Sequence, residues 1–173
     1  MELLDLYNNK KEKIGKVYDR DSGEPGRGEY KLSVHVWIVN SKDQFLIQKR
    51  SENVKNPGKW AFTGGAVDAG ESSVDGALRE VREELGISVS KDEIEYFISF
   101  KREKGFVDVW LIQKDIDISD ITIQEEEVAD VKWASLKEIK QLIDDDLFVH
   151  SVNLYFKMFV KLLKKCHNIT MEK

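Results

Sequence analysis

The chain has 173 residues, 41% hydrophobic and 34% charged, with 2 Pro and 1 Cys, a size and balance suited to one globular domain with a buried core. Its formal net charge of -5 argues against binding a nucleic-acid polymer, which needs Lys and Arg to neutralise phosphates; small anions stay open if a metal ion inverts the local field. No apolar run approaches the roughly 18 residues that span a bilayer, "MELLDLYNNKK" lacks a signal peptide's basic start, and Cys166 alone can form no internal disulfide, so a cytoplasmic protein without membrane contact is expected.

In chain order, residues 3–7 and 14–19 read as short strands around "NNKKEK", a hairpin within the N-terminal segment 1–29. "DSGEPGRGE" is a loop by its Gly and Pro content. "KLSVHVWIVN" and "QFLIQKR" are strands joined by "SKD", the first alternating Leu32, Val34, Val36 and Ile38 on one face. "SENVKNPGK" is a loop running to Trp60, and "AFTGGAV" an extended piece broken by glycines. A helix is expected from about Ser72 to Leu85. "EIEYFISFKREKGFVDVWLIQK" should turn back on itself near "EKG". "ADVKWAS" is a short strand, and "LKEIKQLIDDD" and "SVNLYFKMFVKLLKKC" are helices, the C-terminal helices covering about 136–166. The last is basic and amphipathic; packing on the sheet or at a homodimer interface is the commoner use of such a helix than a membrane surface. No repeat or linker divides the chain, and β-rich, helical, β-rich, helical order suggests a mixed sheet with helices packed on it.

The helix 72–85 carries the most chemistry. Val74, Ala77, Leu78, Val81 and Leu85 form an apolar stripe, Ser72 or Ser73 can cap its start and Gly86 its end. Glu80, Glu83 and Glu84 are read onto the opposite, wet face, with Arg79 and Arg82 as partners. Glu80 and Glu84 are like charges at i,i+4, a pairing that costs a few tenths of a kcal/mol. A hard divalent cation bound by carboxylate oxygens would offset it.

With the upstream glycines included, "GAVDAGESSVDGALREVREELGI" (65–87) resembles the signature of the Nudix hydrolases, G-x5-E-x7-R-E-U-x-E-E-x-G-U with U apolar. Gly65, Glu71, Arg79, Glu80, Val81, Glu83, Glu84, Gly86 and Ile87 fill every fixed position. The resemblance implies a single domain over 1–173 with an α/β/α sandwich around a mixed sheet. It also implies Mg²⁺- or Mn²⁺-dependent hydrolysis of a diphosphate linked to another moiety, often a nucleoside diphosphate. By the same resemblance Glu80 and Glu84 are metal ligands and Glu83 a further ligand or the water-activating base. The Gly64 carbonyl would complete the shell, Arg79 would hold a glutamate in place, and Glu71 and Gly65 would support the loop. A later glutamate about six residues before Trp133 selects Glu127 from "QEEE", though an acidic surface turn is an equal reading. Arg50 and Lys49 could touch phosphate, and Trp37, Trp60 and Phe62 could stack on a base, although large aromatics more often pack in cores.

Isopentenyl diphosphate isomerase shares the fold and an N-terminal segment like "LLDLYNNKKEKIGK". Its pattern needs a Cys and a metal-binding His where this chain has Gly64 and Ala66, and another metal His at Lys31. It also lacks the acids at Glu80 and Glu83. His35 is a strand histidine that packing alone would explain. A domain that binds a nucleotide sugar without cutting it is the other alternative, and such domains tend to lose the box carboxylates kept here.

Overall fold

The structure, a computed structural model, describes residues 2–149, 155, 156 and 158–163. In chain order the strands and helices are β1 (Leu3–Tyr7), β2 (Lys13–Asp19), β3 (Lys31–Val39), β4 (Phe45–Arg50), β5 (Trp60–Ala61), α1 (Ser73–Leu85), β6 (Ile94–Lys101), β7 (Gly105–Gln113), β8 (Val128–Ala134) and α2 (Leu136–Asp144). Residues 155, 156 and 158–163 are helical; the remainder of the helix expected over 151–166, and Cys166, lie outside the described residues. No helix among the described residues is long and apolar enough to cross a membrane. The chain divides into two compact units, one running to Trp37 with Thr63–Ile112, the other Ile38–Phe62 with the residues from Gln113 onward.

In the first unit β1 and β2 form the expected antiparallel hairpin. Asn8 Oδ1 closes its turn by accepting from the N–H groups of Lys10 and Glu12, the local pairing that suits Asn to turns. β3, β7 and β6 are successive neighbours in a sheet, β6 and β7 pairing antiparallel with a register shift between Tyr96 and Ile98. The segment 63–67 lies along β3: Val36 N–H donates to Thr63 O (2.8 Å), Val34 N–H to Gly65 O (2.9 Å) and Val67 N–H to Leu32 O (3.0 Å). The alternation read in β3 is real, Leu32, Val34, Val36 and Ile38 all being buried.

Ser72 caps α1 by accepting from Asp75 N–H, and Gly86 ends it in the left-handed conformation at φ 67°, where glycine pays no Cβ penalty. Val81 and Leu85 are fully buried, each contributing about 1.5–3 kcal/mol. The wheel assignment of the acids needs correction. Glu80 and Glu84 are not on the wet side: both are buried, with Glu83 alone of the three exposed. Glu84 follows Ala77 by about two turns, so helical geometry returns it almost to the same line.

In the second unit β4 pairs antiparallel with β8 along Phe45–Arg50 and with β5 at Gln48 and Lys49. It forms a hairpin with the end of β3, where Val39 pairs with Phe45. Trp60 also makes a parallel bridge to Phe148. A capping box, Ser135 with Glu138, starts α2, satisfying N–H groups that would otherwise lack partners. The core of this unit is aromatic, Phe62 meeting Phe45, Phe148 and Phe156 at centroid distances of 5.3–5.9 Å.

Candidate active site

The first unit gathers Gly64, Gly65, Glu71, Arg79, Glu80, Glu83 and Glu84 where α1 meets the segment 63–67. Glu84, 2% exposed, accepts from Gly64 N–H at 3.1 Å. A Cβ built on Gly65 would lie 2.4 Å from Glu80 Oε1 and 2.7 Å from Oε2. Only glycine leaves room for that carboxylate, which is 9% exposed. Gly64 is constrained by backbone instead: at φ +151° its Cβ would come within 2.1 Å of Val34 O.

Arg79 is the hub of the cluster. Its Nε donates to Glu71 Oε1 (3.0 Å), Nη1 to Glu80 Oε1 (2.9 Å) and Glu83 Oε2 (3.0 Å), and Nη2 to Ala66 O (2.8 Å) and Glu71 Oε2 (3.2 Å). Burial pulls the guanidinium pKa down, but the surrounding carboxylates of Glu71, Glu80 and Glu83 outweigh it and raise it above the ordinary Arg value. Arg79 therefore stays charged and sets the glutamate rotamers through charge-assisted bonds. Burial raises the carboxyl pKa of neighbouring Asp68.

No group of three or more His, Cys, Asp or Glu converges as a metal cage among the described residues. Glu71, Glu80 and Glu83 turn toward Arg79 rather than toward one another. The donor set nevertheless fits a hard divalent ion in chemistry: all carboxylate oxygens, two of them buried, beside a glycine cradle that a Cβ would fill. Glu80, Glu84 and Glu83, with the Gly64 carbonyl, are the groups that could hold Mg²⁺ or Mn²⁺.

The family is decided by the match of residues 29–152 to the NUDIX domain model. The chain belongs to the Nudix hydrolase family. It is a Nudix-type pyrophosphohydrolase, and the relatives that match over most of its length are named Nudix hydrolases. It is 40% identical over 152 residues to an uncharacterised Nudix hydrolase of Listeria monocytogenes, covering 86% of this chain and 89% of that one. It is 33% identical to Nudix hydrolase 3 of Arabidopsis thaliana, covering 95% of this chain and 24% of that protein. Identity to an isopentenyl-diphosphate delta-isomerase of Shigella flexneri is 31%, over 65% of this chain and 66% of the isomerase. Among solved structures, a Deinococcus radiodurans protein superposes with a TM-score of 0.75 at 22% identity, over 96% of this chain and 99% of its own. The Nudix domain of Shewanella oneidensis NrtR, solved with ADP ribose, gives 0.61 at 19% identity, over 84% and 92%. These likenesses establish the Nudix α/β/α fold with its mixed sheet.

Of the remaining residues singled out from the sequence, Arg50, Trp60, Phe62 and Glu127 belong to the second unit of this Nudix hydrolase, and His35 and Trp37 to the first. Arg50 Nε donates to Lys55 O at 2.6 Å and its backbone bonds Lys59 and Gly58, so it closes the loop 51–59. Glu127 is half-buried, and its carbonyl accepts from Ser51 N–H. Phe62, proposed as a substrate contact, is 4% exposed in the aromatic core; that packing corrects the assignment. Trp37 is fully buried beside Phe97, and Trp60 carries Lys132 over its ring at 4.6 Å. In the first unit, burial and then Arg102 push the His35 pKa down to about 3, leaving a neutral ring whose Nε2 accepts from Arg102 Nη2 at 3.3 Å.

Two sets of supporting residues escaped the sequence reading. Asp108, 2% exposed in the middle of β7, accepts from Lys11 Nζ and from Ser73 Oγ (2.7 Å). Ser73 Oγ in turn accepts from Trp110 Nε1 (3.0 Å). This chain fixes the first turn of α1. A lone Asp among the apolar residues of "FVDVW" was the available signal, since a charge there must be paired. The hairpin also holds the box loop: Leu3 O accepts from Ala69 N–H (2.7 Å) and Asp5 Oδ2 from Gly70 N–H (2.9 Å). Lys13 Nζ donates to Asp5 (2.6 Å) and to Glu71 O (3.3 Å). The bonds from Lys13 and Gly70 keep the Asp5 carboxyl below the ordinary Asp range.

Proposed function

We propose that residues 1–173 form one catalytic domain that hydrolyses the diphosphate linkage of a nucleoside diphosphate joined to another moiety, with Mg²⁺ or Mn²⁺. The observation that carries this reading is the burial of Glu80 and Glu84 against Gly64 and Gly65. Arg79 and the Gly64 N–H hold these two buried carboxylates in place, and an anionic substrate would be repelled by such acids unless a divalent cation reversed the local field.

A bound divalent ion would supply Lewis-acid polarisation of a phosphoryl oxygen and charge neutralisation. The protein's own residues hold and orient. Glu80 and Glu84 are assigned as ligands, fixed by Arg79 and by Gly64 N–H. Glu83 is the most exposed of the box glutamates in contact with Arg79 and is assigned either as a further ligand or as the group that takes a proton from the attacking water. Arg79 and Glu71 keep the loop and helix acids in register. Glu127 is proposed as a further base on the family pattern alone, and Arg50 as a phosphate contact beyond its loop-closing role.

A panel of nucleoside diphosphate derivatives, assayed with Mg²⁺ and with Mn²⁺ and with products identified by mass, should reveal turnover that chelation abolishes. Glu84→Gln should lower kcat by about two or more orders of magnitude with the fold intact. Full activity in that variant would remove Glu84 from the ligand set, and no turnover of any diphosphate would favour a binding module.

A further inference from the structure

A cavity of about 360 Å³ opens in the first unit between the start of β3 and the β6–β7 turn, lined by Lys31, Ser33, Arg102, Glu103, Lys104 and Phe106 among others. Its wall presents three cations against one carboxylate, in a chain whose formal net charge is -5. Neither Lys31 nor Lys104 has a carboxylate partner among the described residues; the Lys31 ammonium stands over the Tyr18 ring at 5.7 Å. Elsewhere in this unit the lysines at 11, 13, 16 and 91 are paired with acids. The Arg102 guanidinium donates to His35 Nε2 at 3.3 Å and lies over the Phe100 ring at 5.4 Å.

The cavity adjoins the box through one backbone ladder. Ser33 on its wall pairs with Ala66, whose carbonyl accepts from Arg79. The next residue of β3, Val34, donates to Gly65 O, and Gly65 is the cradle for Glu80. Placing like charges together costs free energy unless an anion is drawn in. A guanidinium and two ammonium groups, from β3 and from the β6–β7 turn, line one volume and together offer more donors than a single side chain could. That suits a tetrahedral phosphate with several acceptor oxygens better than a planar carboxylate with two.

We infer that the cavity lined by Lys31, Ser33, Arg102 and Lys104 is a subsite for a phosphate group that the substrate carries away from the linkage cut at the box carboxylates. The assignment rests on the hydrolase reading for its substrate and on the cavity alone for its anion. Inorganic phosphate is therefore titrated into the full chain in EDTA at low ionic strength, with binding followed by backbone amide shifts. Phosphate should move the amides of residues 31–33 and 102–107. Lys31→Gln with Lys104→Gln should weaken binding about tenfold or more, and Glu84→Gln should leave it unchanged. Lys104→Gln alone, at an exposed turn position, should weaken it in the same direction without touching the packed strand. Shifts elsewhere, or equal affinity in the double variant, would overturn the subsite. With substrates from the panel, the double variant should raise KM for those bearing an additional phosphate far more than for those without; an equal effect on both would overturn the link to substrate. Phosphate bound in the cavity with no diphosphate turned over would refute the hydrolase reading while sustaining the anion site, and turnover with no phosphate bound there would do the reverse.

Discussion

Gly64 and Gly65 are adjacent, yet adding one methyl group to each should do opposite things. In Gly65→Ala the new Cβ would stand 2.4 Å from Glu80 Oε1 and 2.6 Å from its carboxyl carbon. Ordinary contact would require the carboxylate to retreat by about 1 Å, well beyond the ±0.2 Å tolerance of a metal ligand. The obstructing atoms end a flexible side chain, so the fold should lose only about 1 kcal/mol, a Tm decrease of about 2–4 °C. A displacement of about 1 Å at the reacting centre costs about 100-fold in rate. In Gly64→Ala the Cβ would meet Val34 O at 2.1 Å and His35 Cα at 3.0 Å, at φ +151°. Backbone cannot swing aside, and overpacking with strain should cost at least about 3 kcal/mol, or about 6–12 °C in Tm. The assay is kcat for a substrate found in the panel, with thermal denaturation of both variants alongside. Wild-type kcat in Gly65→Ala would refute the placement of Glu80 in the catalytic cluster. A larger stability loss in Gly65→Ala than in Gly64→Ala would refute the packing argument itself.

Lys11→Met should destabilise the protein by about 3–5 kcal/mol, because it leaves the Asp108 carboxylate buried without its cation; urea denaturation measures this, and a loss under about 1 kcal/mol would show the pair to be dispensable. Replacing Asp108 as well, by Asn, should recover part of the loss. The folded pKa of His35 is depressed to about 3 against an ordinary 6.5, so the unfolded chain binds the proton first. The stability this neutral ring contributes is complete above pH 6.5 and is lost toward pH 3, at up to about 1.4 kcal/mol per pH unit. In His35→Asn that component disappears, so the stability gap between wild type and variant should narrow as pH falls from 7 to 4, and parallel curves would refute it.

The box was legible because its residues are close in sequence and their spacing is fixed. The helix, its cap at Ser72 and its Gly86 end follow from local chemistry, as do the two hairpins and the alternation in β3. The burial of Glu80 and Glu84 was not legible, because the same positions serve a wet face or a cradle depending on what lies opposite. Here that partner is a pair of glycines about 15–20 residues away, and only tertiary packing sets such a distance. Lys11 and Asp108 are 97 positions apart, and Lys31 comes from β3 whereas Arg102 comes from the β6–β7 turn. No local pattern joins such residues. Phe62 went astray for a related reason: its sequence neighbourhood is that of the box, whereas its rings of contact come from Phe45, Phe148 and Phe156.

The matched family region begins at residue 29, so the β1–β2 hairpin falls outside it. Yet Leu3, Asp5 and Lys13 hold the backbone of Ala69, Gly70 and Glu71, and Lys11 supports Asp108 beneath the start of α1. A fragment excised along the boundary of the matched region would keep every signature residue and lose the clamp on the loop that carries them. The stretch that is recognised as a module and the stretch that must move or melt together are thus different. The mechanical unit starts at least 26 residues before the matched region, counting from Leu3.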